Sequence, residues 1–271
     1  YEESMALLEE AGIKIPGGKR TLLVPARNFP VEVLFLRDDD IPESVASGVA
    51  DVGIVGLNEV MEKRCPVGIL KKLGFGKCRL SLAIPQDIDY QDRNWFSGKK
   101  IATSYPGILS DYLHKNGIVS DIHVITGSVE IAPGIRLADA IFDIVSSGST
   151  LVSNRLKEVE TVVESEAVLI GTDSISPEKR GILDELLFRF DSVQAADDKK
   201  YILMNVPQKK LNDVLSVLPG IKSPTVMPLA DKEWCSVHTV LDEKCFWEII
   251  NRLKTAGAEG ILVLDIEKMI L

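Results

Sequence analysis

The sequence predicts an α/β protein: a clamp of two lobes followed by a smaller domain of β-α-β-β-α-β order. Apolar strand-like runs alternate with amphipathic helical patterns over most of the chain, which is typical of an α/β fold. One strand also leads into a hydroxyl-rich turn at 146–150, and the pattern changes after residue 198. The predicted first lobe comprises residues 1–84 with 153–198, the second lobe residues 85–152, and the C-terminal domain residues 199–271.

Composition and charge limit the classes of function. Hydrophobic residues make up 45% and charged residues 26% of the chain, which is the balance of a soluble globular protein. The formal net charge of −9 argues against a nucleic-acid partner, because such proteins normally present a basic face. The four cysteines lack C-x-x-C spacing and no apolar run is long enough for a membrane, so the sequence predicts reduced thiols in a cytoplasmic protein.

The stretch around Gly148 is the strongest candidate for binding chemistry. Residues 140–145 form an apolar run that predicts a buried strand, and a short helical pattern starts at Thr150. The turn between them, here named the hydroxyl loop (residues 146–150), combines one glycine with hydroxyl side chains. Such a turn can bind phosphate through backbone N–H groups and hydroxyls, and Asp143 before it can accept hydrogen bonds from a sugar diol. An ordinary strand-to-helix turn capped by serine is the alternative.

In the first lobe, two strand candidates within 20–36 lead to Arg37 and a run of three aspartates. The aspartates and Pro42 predict the acidic first turn of a helix, with Asp40 as its N-cap. That explanation leaves Arg37 unaccounted for at the end of a strand. Asp51 begins the next apolar strand and is either a solvated strand-entry residue or an acid in the cleft.

A second strand-to-helix junction opens the second lobe at Thr103 and Ser104. Ser104 can cap the helix that follows, or both hydroxyls can form a second anion-binding turn. A later turn carries Glu130, and residues 159–170 predict a strand that returns to the first lobe. The cleft is expected where the carboxyl ends of strands from both lobes meet.

From residue 199 the order β-α-β-β-α-β predicts a split ferredoxin-like domain. Its predicted strands cover residues 201–206, 226–229, 236–241 and 260–266. This part of the sequence shows no triad, metal-ligand spacing or phosphate loop, so a regulatory role is the natural interpretation. His238 lies in an apolar strand and is predicted to pack there or at an interface rather than to catalyse.

The run from Gly127 to Leu151 resembles the signature of the ATP phosphoribosyltransferase family. That signature has a Glu, an Ala-Asp-Ala segment, Asp-(Ile/Leu)-Val and a small polar turn that ends in Thr-Leu. Arg136 stands where the signature usually has Gly. Further segments resemble the long form of the family and follow its order; they are 37–42, 50–56, 78–83, 101–106, 223–229 and 261–269. The resemblance therefore covers nearly the whole chain.

The resemblance implies a fold and a reaction. The fold is a two-lobed clamp similar to type II periplasmic binding proteins, with a C-terminal ACT-type regulatory domain. The reaction joins N1 of the adenine of ATP to C1 of the ribose of phosphoribosyl pyrophosphate (PRPP), with Mg²⁺ as cofactor, as the first step of histidine biosynthesis. Such a site must bind the 5-phosphate, the ribose diol and the leaving pyrophosphate.

The resemblance also implies functional residues, none of them assigned to a metal. The implied catalytic residues are Asp143, Glu130 and Arg37; those for PRPP are Asp143, Ser146, Ser147, Gly148, Ser149, Thr150 and Leu151; those for the nucleotide are Arg37, Asp51, Thr103, Ser104 and Tyr105; and those for the effector are Asn205, Ile221, Thr225 and Gly260. Asn205 stands where some relatives carry Asp.

The implied partners are ATP, PRPP, histidine and AMP as inhibitors, and further copies of the chain, from a dimer to a hexamer. Neither nucleic acid nor membrane is expected. The family has a strand before the helical pattern with which this chain starts, so one strand of the first lobe is expected to be missing. Two alternatives stay open: a different PRPP-dependent transferase, which usually carries two adjacent acids where Asp143 stands alone, and a non-catalytic small-molecule sensor.

Overall fold

A computed structural model describes residues 1–17, 22–219 and 224–271 of the chain. Its helices are α1 (Glu2–Glu10), α2 (Ile41–Ala46), α3 (Leu57–Lys63), α4 (Pro106–Lys115), α5 (Ser149–Ser153), α6 (Pro177–Ala196), α7 (Leu211–Val217) and α8 (Glu243–Ala256). Its strands are β1 (Leu23–Pro25), β2 (Glu32–Leu34), β3 (Val52–Gly56), β4 (Gly68–Lys72), β5 (Cys78–Pro85), β6 (Lys100–Thr103), β7 (Asp121–Val124), β8 (Ala140–Val145), β9 (Leu156–Ser165), β10 (Ala167–Gly171), β11 (Lys199–Pro207), β12 (Thr225–Pro228), β13 (Trp234–Asp242) and β14 (Glu259–Asp265). The mixture of helices and strands confirms the predicted α/β class.

The described residues divide into two compact units. One comprises Tyr1–Met5 with Lys14–Ile182, and the other Ala6–Ile13 with Leu183–Leu271. All four cysteines of the chain are free. No helix within the described residues has both the length and the apolar character needed to span a membrane.

Two sheets and a short β1–β2 hairpin form the first unit. Strands in the order β3-β10-β4 make an antiparallel three-stranded sheet. A five-stranded sheet has the order β7-β6-β8-β5-β9, in which β6 runs parallel to β7 and β8 while β5 runs antiparallel to β8 and β9. Leu80 and Phe142 of this sheet are fully buried in one core cluster with Leu109 of α4. Because β6 and β8 are parallel, the helices that follow them both begin at the same edge of the sheet.

The predicted lobe boundaries at 84/85 and 152/153 do not coincide with the sheets. Strands β5 and β9 belong to the five-stranded sheet, whereas those boundaries assign nearly all of β5 and the whole of β9 to the first lobe. Both are long strands whose partners are distant in sequence, and local pattern does not identify such partners. The strand predicted over 159–170 is two strands, β9 and β10, with Glu166 alone between them.

The two sheets are connected by a double crossing next to Glu166. The chain leaves the five-stranded sheet at the end of β9 and enters the three-stranded sheet at Ala167, while residues 73–77 make the opposite connection from β4 to β5. The two crossings are bonded to each other. The N–H of Leu73 donates to the carbonyl of Ala167, and the N–H of Ala167 donates to the carbonyl of Phe75, both at 2.9 Å.

The sheet of the second unit has the order β12-β13-β11-β14, with all neighbours antiparallel. Helices α7 and α8 follow the first and third of these strands along the chain, so the predicted ferredoxin-like topology is confirmed. One face of the sheet packs on the helices, with Met204 and Val237 buried beside Val214 and Leu253.

The other face of this sheet carries apolar side chains that are exposed in the single chain. The members more than a third exposed include Tyr201, Met227, Leu262 and Leu264. His238 also lies on this sheet, where its ring nitrogens are hydrogen-bonded to the hydroxyls of Tyr201 at 2.6 Å and Ser236 at 2.9 Å. This face is therefore suited to contact another apolar surface.

Candidate active site

The hydroxyl loop connects β8 to α5, as the sequence predicts. Gly148 takes the N-cap position of α5 with φ 79°, a left-handed conformation that glycine adopts without strain. The hydroxyl oxygens of Ser147 and Ser149 lie 3.0 Å apart, and the side chains of Ser146 and Thr150 are exposed. The loop thus offers several accessible hydroxyls on a turn with little side-chain bulk.

Leu151, the last residue predicted to bind PRPP, has a different position. Its side chain is buried in a core cluster with Val145 and Ala132. Only its backbone is therefore suited to contact a ligand at the loop. The buried side chain instead anchors α5 to the sheet.

Asp143 is half-buried near the end of β8. Burial raises the pKa of its carboxyl above the ordinary value, and the negative charge of Glu130 raises it further, whereas a bond from the N–H of Ile144 at 2.8 Å lowers it. The structure therefore brings the two predicted acids close enough to interact. An ionised carboxylate in this position is destabilising unless a ligand or ion compensates for it.

The turn between these acids contains Arg136 in a left-handed conformation, with φ 60°. Its N–H donates to the carbonyl of Pro133 at 3.0 Å, and the N–H of Leu137 donates to the carbonyl of Ala132 at 2.9 Å. This backbone geometry explains why the family signature has Gly here, since a side chain in this region costs about 1–2 kcal/mol.

Arg79 contacts the start of the hydroxyl loop from the neighbouring strand. In the antiparallel register of β5 and β8, Arg79 lies opposite Val145 and Ser81 lies opposite Asp143, which places these pairs on one face of the sheet. The Nη1 atom of Arg79 donates to the carbonyl oxygen of Ser146 at 3.2 Å. The sequence reasoning missed this residue, although polar residues alternating with buried leucines in β5 are a signal for it.

Glu158 of β9 holds the guanidinium of Arg79 in place. Nε and Nη2 of Arg79 donate to its two carboxylate oxygens, both at 2.6 Å. The hydroxyls of Ser81 at 2.7 Å and Thr161 at 3.1 Å donate to the same carboxylate. These bonds, chiefly the one from Arg79, lower the pKa of Glu158 to about 2. Glu158 is therefore ionised at any pH near neutrality.

The second predicted junction, between β6 and α4, is built differently from the prediction. Helix α4 begins at Pro106 with Tyr105 at the N-cap position, so Ser104 is not its cap. Thr103 is fully buried, and its hydroxyl accepts a hydrogen bond from the N–H of Tyr105 at 2.8 Å. The hydroxyl of Thr103 is thus used to shape the turn.

A carboxylate of the protein itself occupies the N-terminus of α4. Glu62 of α3 accepts hydrogen bonds from the N–H groups of Gly107 at 2.7 Å and Ile108 at 2.9 Å. Arg64 extends this contact by donating to the carbonyl of Gly107 at 2.9 Å and to Asp111 at 2.7 Å. Glu62 supplies the negative charge that a helix N-terminus attracts.

Tyr105 belongs to a polar network next to this junction. Its hydroxyl donates to Glu59 at 2.8 Å and accepts from the amide of Asn58 at 3.2 Å, and Asn58 is bonded in turn to Ser165. Burial is the main cause that raises the pKa of Glu59. Burial and the bond to Glu59 raise the pKa of Tyr105, and the charge of Asp143 adds to the shift, so Tyr105 lies near the predicted catalytic acid.

Arg37 and Asp51 lie at exposed positions. Arg37 has an extended backbone and precedes the short 3₁₀ turn Asp38–Asp40. Asp40 takes the N-cap position of α2 as predicted, but its side chain makes no cap bond with the described residues. Asp51 forms an ion pair with Lys179 at 2.8 Å, which favours the interpretation as a solvated strand-entry residue.

The predicted effector residues are only partly together within one chain. Asn205 and Gly260 are neighbours: Gly260 has φ 55°, and a Cβ on it would lie 3.4 Å from Nδ2 of Asn205. Thr225 is on β12, two strands away from β11, a separation of roughly 10 Å at ordinary strand spacing. Ile221 lies outside the described residues.

The pair Asp143 and Glu130 has the donor chemistry that Mg²⁺ takes. This ion is usually bound by one or two carboxylates together with substrate phosphates and water. Across the three described ranges, no group of three or more His, Cys, Asp or Glu side chains gathers in a way that could hold a metal ion. A Mg²⁺ carried in with a phosphorylated substrate fits this donor set better than a dedicated protein cage.

Taken together, the fold and the site are those of an α/β protein in which a hydroxyl loop lies beside two interacting acids, an arrangement suited to a phosphorylated sugar. The family model described as ATP phosphoribosyltransferase matches residues 37–192, and the model described as HisG, C-terminal domain, matches residues 196–268. The chain belongs to the ATP phosphoribosyltransferase family.

Individual relatives agree with this assignment. The ATP phosphoribosyltransferase of Bacteroides fragilis is 70% identical over 271 residues, which are 100% of this chain and 96% of that protein. The enzyme of Cytophaga hutchinsonii is 57% identical, with 99% and 94% covered. A solved structure, an ATP phosphoribosyl transferase (HisG:HisZ) complex from Thermotoga maritima, matches with a TM-score of 0.60 and 25% identity over 70% of this chain and 92% of that chain. The resemblance seen in the sequence is confirmed, and the sensor and other-transferase alternatives are not favoured.

Proposed function

We propose that this chain transfers the phosphoribosyl group of PRPP to N1 of the adenine of ATP, giving phosphoribosyl-ATP and pyrophosphate, the first step of histidine biosynthesis. The observation that carries the proposal is the hydroxyl loop beside Asp143 and Glu130, in a chain 70% identical to an ATP phosphoribosyltransferase. The bond from C1 of the ribose to the pyrophosphate oxygen breaks with its electron pair on oxygen. A new bond forms from N1 to C1.

The hydroxyl loop is proposed to bind the 5-phosphate. Ser146, Ser147, Ser149 and Thr150 offer exposed hydroxyls, and Gly148 lets the backbone approach closely. Hydrogen bonds from these groups to a phosphate are charge-assisted and stronger than neutral ones. Fixing the phosphate fixes the ribose relative to the nucleotide, which is how positioning lowers the barrier of a two-substrate reaction.

Asp143 and Glu130 are proposed to hold the ribose diol. Their carboxylates accept hydrogen bonds from hydroxyl groups, and their negative charge favours the positive charge that develops at C1 as pyrophosphate departs. The raised pKa of Asp143 supports this role, because burial and the charge of Glu130 keep an acid in a position that is unfavourable for stability alone.

Arg37 is proposed to bind the leaving pyrophosphate. It is exposed, with an extended backbone between the end of β2 and the 3₁₀ turn Asp38–Asp40, and its guanidinium is suited to bidentate contact with phosphate oxygens. Mg²⁺, when bound to the pyrophosphate with Asp143 or Glu130 as a protein ligand, would neutralise part of its negative charge.

The nucleotide is proposed to lie against the β6–α4 junction. Ser104 is half-buried and retains a hydroxyl, whereas Thr103 acts through the turn it shapes and the buried Tyr105 through its bonds to Glu59 and Asn58. Arg37 could contact the phosphates of ATP as well. Asp51 contributes only if its ion pair with Lys179 opens.

The test is direct formation of phosphoribosyl-ATP from ATP and PRPP, followed by ultraviolet absorbance. Purified protein with Mg²⁺ should form the product, and omission of either substrate should abolish the signal. Tight binding of PRPP without product would instead indicate the sensor. Turnover with a free purine or pyrimidine base but not with ATP would indicate a different transferase.

Regulation by histidine and AMP, in a homo-oligomer between a dimer and a hexamer, forms the second part of the proposal. It is supported by the match to the C-terminal domain of the family and by the exposed apolar face that includes Tyr201, Leu262 and Leu264. A second copy of the domain would cover that face. An effector bound where domains meet would then favour one arrangement of subunits.

Histidine titrations of the full-length protein test the regulatory part. Asn205→Ala and Thr225→Ala should weaken inhibition by histidine while the rate without effector stays near that of the parent.

The cytoplasm is the proposed location, because ATP and PRPP are found there and the four cysteines are free. Nucleic acid and membranes are not proposed as partners.

A further inference from the structure

We propose that Arg79 is a positioning residue for the hydroxyl loop, a role that rests on the proposed function of that loop. Arg79 lies on β5 opposite Val145, the last residue of β8. Its Nη1 donates to the carbonyl oxygen of Ser146 at 3.2 Å. Because Ser146 is the first residue of the loop, this bond sets the direction in which the backbone leaves the sheet.

The guanidinium of Arg79 is itself held in one orientation. Glu158 binds it through two bonds of 2.6 Å, and a planar guanidinium fixed by such a fork cannot rotate without breaking both. Glu158 is fixed in turn by the hydroxyl of Ser81, a residue only 1% exposed. A chain of bonds thus extends from the buried sheet through Glu158 and Arg79 to the first peptide of the loop.

This support has a specific consequence for binding. If the first peptide of the loop is fixed, the amides and hydroxyls of the loop are already close to the arrangement that binds phosphate. Binding then costs less conformational entropy. Without Arg79 the loop still has its amides and hydroxyls, but their orientation is no longer fixed. Because the phosphate is bound in the ground state and the transition state alike, the loss should raise KM for PRPP more than it lowers kcat.

The second unit contains a matched control. Arg189 of α6 donates through Nε at 3.1 Å and Nη2 at 2.6 Å to Glu185, and through Nη1 to the carbonyl of Ala11 at 3.3 Å. Like Arg79, it therefore bonds one carboxylate and one backbone carbonyl, and these partners belong to the second unit. Arg189→Met should show what losing these bonds costs in stability alone.

The experiment compares Arg79→Met, Arg79→Lys, Arg189→Met and Thr150→Val in the full-length protein. Each variant is characterised by its Tm, by calorimetric titration with PRPP, and by KM for both substrates. Arg79→Met should raise KM for PRPP about tenfold and leave KM for ATP within about twofold. Arg79→Lys keeps the charge but cannot bond Glu158 and Ser146 together, so we expect an increase of about threefold with Tm close to the parent. Arg189→Met should lower Tm and change neither KM.

The outcomes separate this role from the function of the loop. If Thr150→Val weakens PRPP binding while Arg79→Lys and Arg79→Met do not, the positioning role is overturned and the loop remains the phosphate site. If none of the three variants changes PRPP binding, the loop assignment fails and the positioning role fails with it. Equal losses for ATP and PRPP would show a general structural defect and also overturn the proposal. Should Arg79→Met not fold, Arg79→Lys carries the comparison alone.

Discussion

Two strand-to-helix junctions lie at one edge of the five-stranded sheet, and side chains of opposite charge contact them. At the β6–α4 junction, Glu62 binds the N–H groups of Gly107 and Ile108 directly. At the β8–α5 junction, a glutamate also approaches, but Glu158 binds Arg79, and Arg79 binds the carbonyl that starts the loop. One junction therefore presents a negative group to the helix N-terminus, and the other presents a positive group to the turn.

The difference shows why sequence pattern alone ranks such junctions poorly. Both have an apolar strand, a short turn with hydroxyls and a helix start, and both could bind an anion. They differ in the charged side chain that another element brings to the turn: the carboxylate of Glu62 at the β6–α4 junction and the guanidinium of Arg79 at the β8–α5 junction. A helix N-terminus already bonded to a carboxylate is satisfied, whereas hydroxyls exposed beside a guanidinium are available to a phosphate.

The largest expected effect is at the acid of the second junction. Asp143→Asn keeps the shape but loses charge-assisted acceptance from the ribose diol, so kcat/KM should fall at least about tenfold, or about 1.4 kcal/mol. Steady-state kinetics with varied PRPP measures this change. Asp121→Asn, an exposed acid on the edge strand of the same sheet, serves as the control and should be unaffected.

Asp143→Asn should also change how the stability of the fold depends on pH. Burial raises the pKa of Asp143 in the folded state, so folding favours the protonated form of this carboxyl. Its contribution to stability is therefore fully present below the pKa of the unfolded chain and is lost as pH rises through the pKa of the folded state. At neutral pH the ionised carboxylate therefore destabilises the fold, and Asp143→Asn should have a Tm equal to or above the parent. A variant that loses both activity and stability would contradict the functional role.

Thr150→Val tests whether the hydroxyl loop binds phosphate. Removing one donor to a charged group should weaken PRPP binding by roughly 1–3 kcal/mol in a calorimetric titration. Ser104→Ala, at the other junction, should leave PRPP affinity unchanged. If the two variants had equal effects on PRPP, the contrast between the junctions would be wrong.

Glu62→Gln tests the satisfied junction. The amide retains the shape but loses the charge that stabilises the start of α4, so the free energy of unfolding in urea should fall by roughly 0.5–2 kcal/mol. PRPP affinity should not change. A gain in affinity for inorganic phosphate would show that this helix N-terminus becomes an anion site once its own carboxylate is neutral.

The smallest expected effect concerns acid stability at Glu158. Its pKa is lowered to about 2, mainly by Arg79, so its contribution is present above the unfolded value and is lost as pH falls through about 2. The Tm difference between the parent and Glu158→Gln should be constant near neutrality and shrink below about pH 4. Because the pair is partly exposed, solvent screening limits this difference to about 1–3 °C.

The ferredoxin-like domain could be predicted almost element by element, and the two sheets of the clamp could not. In the C-terminal domain, alternation in the strands and helical periodicity at Phe246, Ile249 and Leu253 each specify one element, and the β-α-β-β-α-β order then limits the topology. In the clamp, β5 and β9 are antiparallel partners in one sheet, and local periodicity reveals a strand but not its partner.

The candidate site shows the same division. Asp143 and the hydroxyl loop are contiguous in sequence and were predictable together. Glu62 reaches Gly107 across 45 residues, and Arg79 reaches Glu158 across 79, so neither pair leaves a local signal. Side chains that support a binding loop from other elements are set by tertiary packing, and for that reason the structure was needed to find them.

The double crossing next to Glu166 determines how the two sheets of the clamp can move relative to each other. Two polypeptide segments run side by side between the sheets and are bonded to each other, at Leu73 to Ala167 and at Ala167 to Phe75. A pair of coupled ribbons bends easily about the axis that passes through both, but it resists sliding and torsion, because either motion would have to stretch one ribbon against the other. Any change in the angle between the two sheets would therefore have to bend both segments together, about an axis through this crossing.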